Sequence, residues 1–112
     1  MEEFCINDIH WKVYYVSNNS YFLIDRTGKR CIATTDVKRK IIFVDCSLIG
    51  DELRKVLLHE LTHAAMDSYG LIQDIHKMVP RKNWIFVEEW ICNFIYNYGV
   101  EIMDNVNKVS KA

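Results

Sequence analysis

The apolar positions of the chain change their period part-way along it, alternating in the first half and recurring every three or four residues in the second. Between residues 9 and 16, every second position is apolar, as in a half-buried strand: Ile9, Trp11, Val13 and Tyr15. Residues 21–24, 31–35 and 40–45 are further strand candidates separated by polar turns. We therefore predict three or four short strands before residue 46, with the β-branched segment 41–44 well buried.

A helix is predicted directly after these strands, over residues 51–69. Leu53, Leu57, Leu61 and Ala64 follow one another at spacings of four, four and three, which is the period of an amphipathic helix. No proline or glycine interrupts this stretch, and Gly70 follows it where a left-handed C-terminal residue is expected. Either Ser47 or Asp51 is suited to cap the start.

A second, longer helix is predicted near the end of the chain, from Trp84 or Val87 to Val106. Its apolar positions fall at spacings of one, three and four. Residues 71–82 form a mixed segment in which Pro80 marks a loop, and the tail 107–112 is expected to fray. The predicted fold class is α+β, in which a short three- to four-stranded N-terminal sheet packs against two helices. A chain of 112 residues is expected to form a single domain, residues 1–112.

The first predicted helix carries the motif HExxH at residues 59–63. The helical period brings His59 and His63 to one face, with side-chain origins about 5–6 Å apart, so that two imidazole nitrogens can bind one metal ion. Glu60 lies about 100° further round the helix, where it can contact a water molecule on the metal. Glu60 is therefore the candidate general base.

A catalytic zinc ion takes three protein ligands, so a third ligand must come from elsewhere. His10 and His76 are candidates by residue type, and Glu88 and Glu89 lie at the start of the second helix. Glu89 is favoured over Glu88 because Asn93 follows it by one helical turn, where its amide could hydrogen-bond a ligating histidine. Glu88 suits the role of an acidic residue in a first helical turn.

These residues carry a resemblance to a known class. The HExxH motif followed by the segment 89–94 resembles a minimal gluzincin, and the order of elements over residues 9–105 resembles small phage and prophage proteins related to the ImmA/IrrE metallopeptidases. The resemblance implies zinc at His59, His63 and Glu89, with Glu60 as the base. Asn93 stands where aspartate is commoner in the family, and Val87 stands where a capping threonine is usual.

Composition and charge exclude several other classes. The formal net charge is -1, and the basic run at residues 38–40 is too short to indicate a nucleic-acid-binding surface. The acidic start and the lack of a long apolar stretch indicate neither a signal peptide nor a membrane span, so we expect a cytoplasmic protein. The four cysteines contain no CxxC pair and are expected to be free thiols.

The function expected from these features is zinc-dependent hydrolysis of peptide bonds, with a protein or peptide as substrate. Zinc would acidify a bound water and Glu60 would take its proton. The segment 41–44 is a candidate strand edge along which an extended peptide could pair. His76 and Tyr96 are weak candidates for stabilising an oxyanion, since a surface histidine and a core tyrosine are the commoner roles. The alternative function is a zinc-containing interaction module with little or no proteolytic activity. The pattern leaves the oligomeric state open.

Overall fold

The computed structural model describes residues 1–25 and 27–110. Within these residues, a four-stranded sheet is followed by three helices, which confirms the predicted α+β class. The strands are β1 (Glu2–Ile6), β2 (Ile9–Val16), β3 (Ala33–Asp36) and β4 (Ile41–Asp45). The helices are α1 (Gly50–Ser68), α2 (Leu71–Met78) and α3 (Trp84–Val109). Two single turns of 3-10 helix, Tyr21–Leu23 and Arg81–Asn83, lie in the connections.

The strands are arranged in the order β1-β2-β4-β3, so β4 is an interior strand. It pairs in parallel with β2 and antiparallel with β3, and the paired positions run from Lys12 opposite Ile41 to Val16 opposite Asp45. The prediction that segment 41–44 offers a free edge is therefore wrong, because both of its sides are already hydrogen-bonded. The two edge strands of the sheet are β1 and β3, and β3 lies nearer the helices.

Two features of the sheet differ from the sequence prediction. β1 was not predicted, and it pairs with β2 through a tight hairpin in which Asn7 and Asp8 have φ of 51° and 61°. Two consecutive positive φ values are the mark of a type I′ turn, which Asn and Asp tolerate. Conversely, the strand predicted at residues 21–24 is the 3-10 turn, where the Ser20 hydroxyl accepts a hydrogen bond from the Phe22 amide.

Helix α1 covers one face of the sheet and buries the main core against it. The buried members from the sheet and from α1 are Trp11, Val13, Ala33, Ile42, Val44, Val56 and Ala64. The C-terminal end of α1 is also tied to the hairpin by polar contacts, since Ser68 Oγ accepts a hydrogen bond from Trp11 Nε1 at 2.9 Å and Ser68 O accepts one from Asn7 Nδ2 at 3.0 Å. Lys40 pairs with Asp67 in the same region at 2.5 Å. These contacts fix the metal-motif helix relative to the sheet.

The two ends of α1 differ in how well the sequence identified them. Gly70 has φ of 70°, as expected of a left-handed residue after the helix. The N-cap is Ile49, which makes no side-chain capping hydrogen bond. Neither candidate cap serves, because Ser47 bonds with Asp45 and Asp51 lies in the first turn.

Helices α2 and α3 complete the domain. α2 was not predicted, and it buries Ile75 against Met66 of α1 and Cys92 of α3 in a second apolar cluster. α3 continues three residues beyond the predicted Val106, whereas residues 111 and 112 of the predicted frayed tail lie outside the described residues. Among the residues described, no helix combines the length and apolar character that crossing a membrane requires.

Candidate metal centre

Helix α1 places His59 and His63 side by side, one turn apart. Their ring centroids are 5.0 Å apart with an angle of 72° between the planes, and both side chains are largely buried. The stripe that carries Val56 and Ala64 packs on the sheet, which leaves the histidines directed toward α3. The sequence-predicted pair is thus assembled on one side of α1.

Glu89 of α3 reaches both histidines with its carboxylate. Its Oε1 lies 3.1 Å from His63 Nε2, and its Oε2 lies 3.5 Å from His59 Nε2. A carboxylate that faces two imidazole nitrogens is an arrangement in which a cation can replace the protons between them. The three residues that the resemblance implies as zinc ligands therefore meet in one place.

Glu88 also belongs to this cluster, and the prediction that it serves as an acidic residue of a first helical turn is wrong, because α3 begins four residues earlier at Trp84. Its Oε2 lies 2.7 Å from His63 Nδ1, on the ring nitrogen that does not face Glu89. A carboxylate in that position fixes the tautomer and orientation of a ligating histidine. Asn93 was predicted to give such support, but its side chain is exposed and makes no hydrogen bond to His59 or His63 within the described chain. The Glu-Glu pair at the start of α3 was the available signal for Glu88.

Glu60 is a buried carboxylate with two neighbours. Its residue exposure is 6%, the Thr35 hydroxyl of β3 donates a hydrogen bond to its Oε2, and its Oε1 lies 3.3 Å from His59 Nδ1. Burial of a carboxylate is costly unless it is hydrogen-bonded, so Thr35 stabilises Glu60 in this position. Nothing in the sequence pattern identified Thr35, because its contact with Glu60 depends on how the sheet packs against α1.

The carboxylates shift the pKa of both histidines. Burial lowers the pKa of His59, but its hydrogen bonds with Glu60 and Glu89 outweigh this effect and raise that pKa to about 9. Burial likewise lowers the pKa of His63, and its contacts with Cys92, Glu88 and Glu89 raise it to about 12. Hydrogen bonds from the two histidines hold the pKa of Glu89 well below its usual range. In the absence of a metal, the site therefore holds protons that a cation would displace.

Two groupings of potential metal ligands occur in this region. In the first, one ligand atom each from His59, His63 and Cys92 lie within 4.8 Å of one another, and in the second the same holds for His63, Glu88 and Glu89. Imidazole, carboxylate and thiol together are the donor set that zinc takes in proteins. The chemistry of these donors fits a transition metal of this kind.

The remaining candidate site residues either lie away from this cluster or direct their polar atoms elsewhere. His76 is exposed on α2, where its ring stacks on Trp84 with centroids 3.5 Å apart. The Tyr96 ring packs edge-on against His59, but its hydroxyl donates to Glu52 at 3.0 Å. His10 is exposed on β2. None of these three joins a grouping of metal ligands in the described part of the chain.

Comparisons with protein-family models, curated proteins and solved structures gave no match. The resemblance to gluzincins thus depends on the motif residues and on the geometry they adopt. It remains a prediction.

Proposed function

We propose that this protein is a zinc-dependent metallopeptidase whose metal ligands are His59, His63 and Glu89. The observation that carries the proposal is the meeting of these three side chains from α1 and α3 beside a buried glutamate, Glu60. Two histidines, one carboxylate and an adjacent glutamate form the set that a hydrolytic zinc site requires. Glu88 supports His63 from the other side of its ring.

Bound zinc would supply Lewis-acid chemistry, lowering the pKa of a coordinated water towards ~7 and polarising a peptide carbonyl. Glu60 supplies the proton transfers. The Thr35 hydroxyl donates a hydrogen bond to Oε2 of Glu60 and fixes the orientation of that carboxylate. The other oxygen, Oε1, lies beside His59 Nδ1 and would take the proton and pass it to the leaving amine. Thr35 is in this sense a positioning residue for the general base.

The substrate in this proposal is an extended peptide that pairs with the free edge of β3. β3 is hydrogen-bonded to β4 on one side only, and it carries Thr35, so a peptide added to its other side would pass close to Glu60. This placement replaces segment 41–44 as the peptide-binding edge. Slower amide exchange over Ala33–Asp36 when a peptidic zinc chelator is added supports it, and unchanged exchange there contradicts it.

Replacement of Glu60 by glutamine tests the catalytic proposal. Glu60→Gln keeps the size and the Thr35 contact but cannot take a proton, so we expect normal zinc content and a loss of cleavage of about 10²-fold or more. The assay is mass spectrometry of a proteome-derived peptide library incubated with the zinc-loaded protein. Glu101→Gln, an exposed change on α3, is the matched control and should cleave normally. Equal cleavage by wild type and Glu60→Gln would contradict the proposal.

A second candidate function is a zinc-containing interaction module with little proteolytic activity. The observation that favours it is the buried thiol of Cys92 beside the two histidines, because a fourth protein ligand is typical of closed structural sites. In that case Glu60→Gln would leave the biological effect of the protein unchanged.

A cytoplasmic location, and the absence of nucleic acid and membrane among the partners, are part of the proposal. All four cysteines are free in the structure, as is usual in a reducing compartment.

A further inference from the structure

Cys92 belongs to the group of potential metal ligands, but the proposed reaction gives it no role. It lies on α3, three residues after Glu89, so that both project from the same side of the helix. Its residue exposure is 0%, and burial raises the pKa of its thiol despite the neighbouring His63. One nitrogen of each histidine lies within 4.8 Å of Cys92 Sγ.

We infer that Cys92 is a fourth protein ligand of the resting metal, binding as its thiolate. This inference depends on the proposed function only for the presence of a metal at His59 and His63. The four donors come in two pairs, a histidine pair four residues apart on α1 and a glutamate-cysteine pair three residues apart on α3. A thiolate is a preferred zinc ligand, and a neutral buried thiol loses its proton to solvent when it binds the ion.

The consequence of a fourth protein ligand is a closed resting site. Structural zinc sites have four protein ligands, whereas hydrolytic sites keep one position open. For the reaction proposed above, Cys92 would have to give up the metal and regain its proton from solvent, so that the fourth position is open to water. Removal of the thiol is therefore expected to raise any peptidase activity and to weaken metal binding.

Cobalt substitution tests this inference without a substrate. Co²⁺ takes the place of zinc in such sites, and a cobalt-thiolate bond gives an intense near-ultraviolet charge-transfer band that imidazole and carboxylate ligands lack. We expect this band in the wild-type protein and its loss in Cys92→Ala, which retains the weaker visible bands of bound cobalt. The matched control replaces the other three cysteines, Cys5, Cys31 and Cys46, with serine and should retain the full band. Circular dichroism verifies that each variant is folded, and Cys92→Ser gives a second test if the alanine variant is unfolded.

The outcomes separate this inference from the proposed function. Visible cobalt bands without the charge-transfer band in wild type would overturn the role of Cys92 and leave the three-ligand site intact. A charge-transfer band that persists in folded Cys92→Ala would likewise overturn it. Failure of the wild-type protein to bind cobalt or zinc in equilibrium dialysis would overturn both the inference and the proposed function.

A separate observation concerns the outer side of α3, which is apolar although it is exposed. Side chains four residues apart form an aromatic ridge along it: Phe86, Trp90, Phe94 and Tyr98. The rings within this ridge already pack together, with centroids 6.0 Å apart for Trp90 and Phe94 and 5.4 Å apart for Phe94 and Tyr98. We call these four residues the outer ridge.

We propose that the outer ridge binds the same ridge of a second copy of this chain. From the fractional exposures and about 200 Å² for each aromatic side chain, the outer ridge exposes about 450 Å² of apolar surface. A standard interface buries about 800 Å² per partner, of which roughly 60% is apolar, so this area matches what a stable dimer needs. Ridges of this spacing pack into one another at a crossing angle of about −50°.

The charges near the outer ridge favour a second copy over a membrane surface. Beside the ridge runs a polar row spaced by four, Asn93, Asn97, Glu101 and Asn105, in which three of the four side chains are uncharged amides that can pair across a two-fold axis. Helix α3 carries four acidic residues and one lysine. An acidic helix is repelled by anionic lipid, which attracts basic amphipathic helices.

Sedimentation equilibrium over a range of concentrations tests the dimer. We expect wild type to dimerise and Phe94→Glu, in the middle of the outer ridge, to weaken the dimer by about 30-fold or more, as for a central aromatic contact. Tyr21→Glu is the control, because Tyr21 is equally aromatic and 80% exposed but lies far from α3 in the chain. A monomeric wild type, with or without binding to phosphatidylglycerol vesicles, would overturn the proposal. So would a dimer that Phe94→Glu leaves unchanged.

Discussion

The two sides of helix α3 invert the usual distribution of residues. The side that faces α1 gathers ionisable groups, with Glu88, Glu89 and the buried Cys92 arranged around two largely buried histidines. The outer side exposes aromatic and aliphatic side chains, and Trp90 is 61% exposed although it adjoins Glu89 in the chain. Buried polar groups persist only where partners satisfy them, and exposed apolar ridges of this size usually mark a binding surface. The comparison supports the two proposals made for α3, a metal site on one side and a contact surface on the other.

Removal of a histidine is expected to have the largest effect. His63→Ala deletes a proposed ligand, leaves Glu88 unpaired and leaves Glu89 with His59 alone, so zinc affinity should fall by far more than the ~10–100-fold typical of a supporting residue. Isothermal titration with zinc measures this loss. Phe94→Ala, on the opposite side of α3, should bind zinc as wild type does. Similar losses in both variants would mean that the two sides do not act separately.

Glu88 and Asn93 give a more specific test of the inner side. Glu88→Gln weakens the bond to His63 Nδ1, and we expect zinc affinity to fall by about 10–100-fold. Asn93→Ala should leave the affinity within about 2-fold, because the amide contacts neither histidine and measured effects of such surface changes are small. The reverse result would support the role that the sequence suggested for Asn93.

Neighbouring positions on the two sides of α3 are expected to differ in how much a change of side-chain volume affects stability. A Cβ on Gly99 would lie 3.1 Å from Leu58 Cδ1 and 3.3 Å from Ile95 Cγ2, so Gly99→Leu must push α1 and α3 apart. We expect a loss of about 1–3 kcal/mol in the free energy of unfolding. Tyr98→Leu, one residue away on the outer side, should change that free energy by at most about 0.5 kcal/mol when measured at concentrations where the chain is monomeric. Urea denaturation measures the free energy of unfolding of both variants. Equal losses in the two variants would contradict the prediction.

The smallest expected effect is the pH dependence of the metal-free protein. The pKa of His59 in the folded protein is about 9 against an ordinary 6.5, so its contribution to stability is complete below about pH 6.5 and is lost as the pH rises through 9. The lowered pKa of Glu89 acts oppositely, because its contribution is present above 4.5 and is lost as the pH falls. Thermal unfolding in a chelator should show greatest stability between about pH 4.5 and 6.5, where both contributions are complete. The loss on the acid side is small because the Glu89 side chain is partly exposed and screened by solvent. A flat profile from pH 6.5 to 9 would contradict this prediction.

Local signals in the sequence predicted the framework of the site. The apolar period of residues 51–69 and the glycine after it matched α1 to within one residue at each end, and the alternation at residues 9–16 matched β2. Both patterns arise from burial of one face of a regular element, which depends on neighbouring residues alone. The spacing within HExxH likewise ensured that His59 and His63 lie together once the helix forms.

The features that the sequence did not reveal depend on contacts between distant segments. Thr35 meets Glu60 only because β3 is the strand beside α1, and the position of β4 inside the sheet results from its parallel pairing with β2. Helix α2 has only eight residues, too few for an apolar period to distinguish it from a loop, and its packing against Met66 and Cys92 is seen only in the structure. β1 was not predicted because its turn, Asn7-Asp8, lacks the glycine that usually marks a type I′ hairpin.

The anchoring of α1 at Ser68 makes the two halves of the metal centre unequal. Hydrogen bonds from Trp11 and Asn7 hold the end of α1 to the hairpin, so the histidines belong to a rigid body formed with the sheet. The carboxylates come from a separate helix that reaches this body through side-chain packing. Binding of the ion would therefore join α3 more firmly to the rest of the domain. A chelator should increase hydrogen exchange in the first turns of α3 before it affects α1.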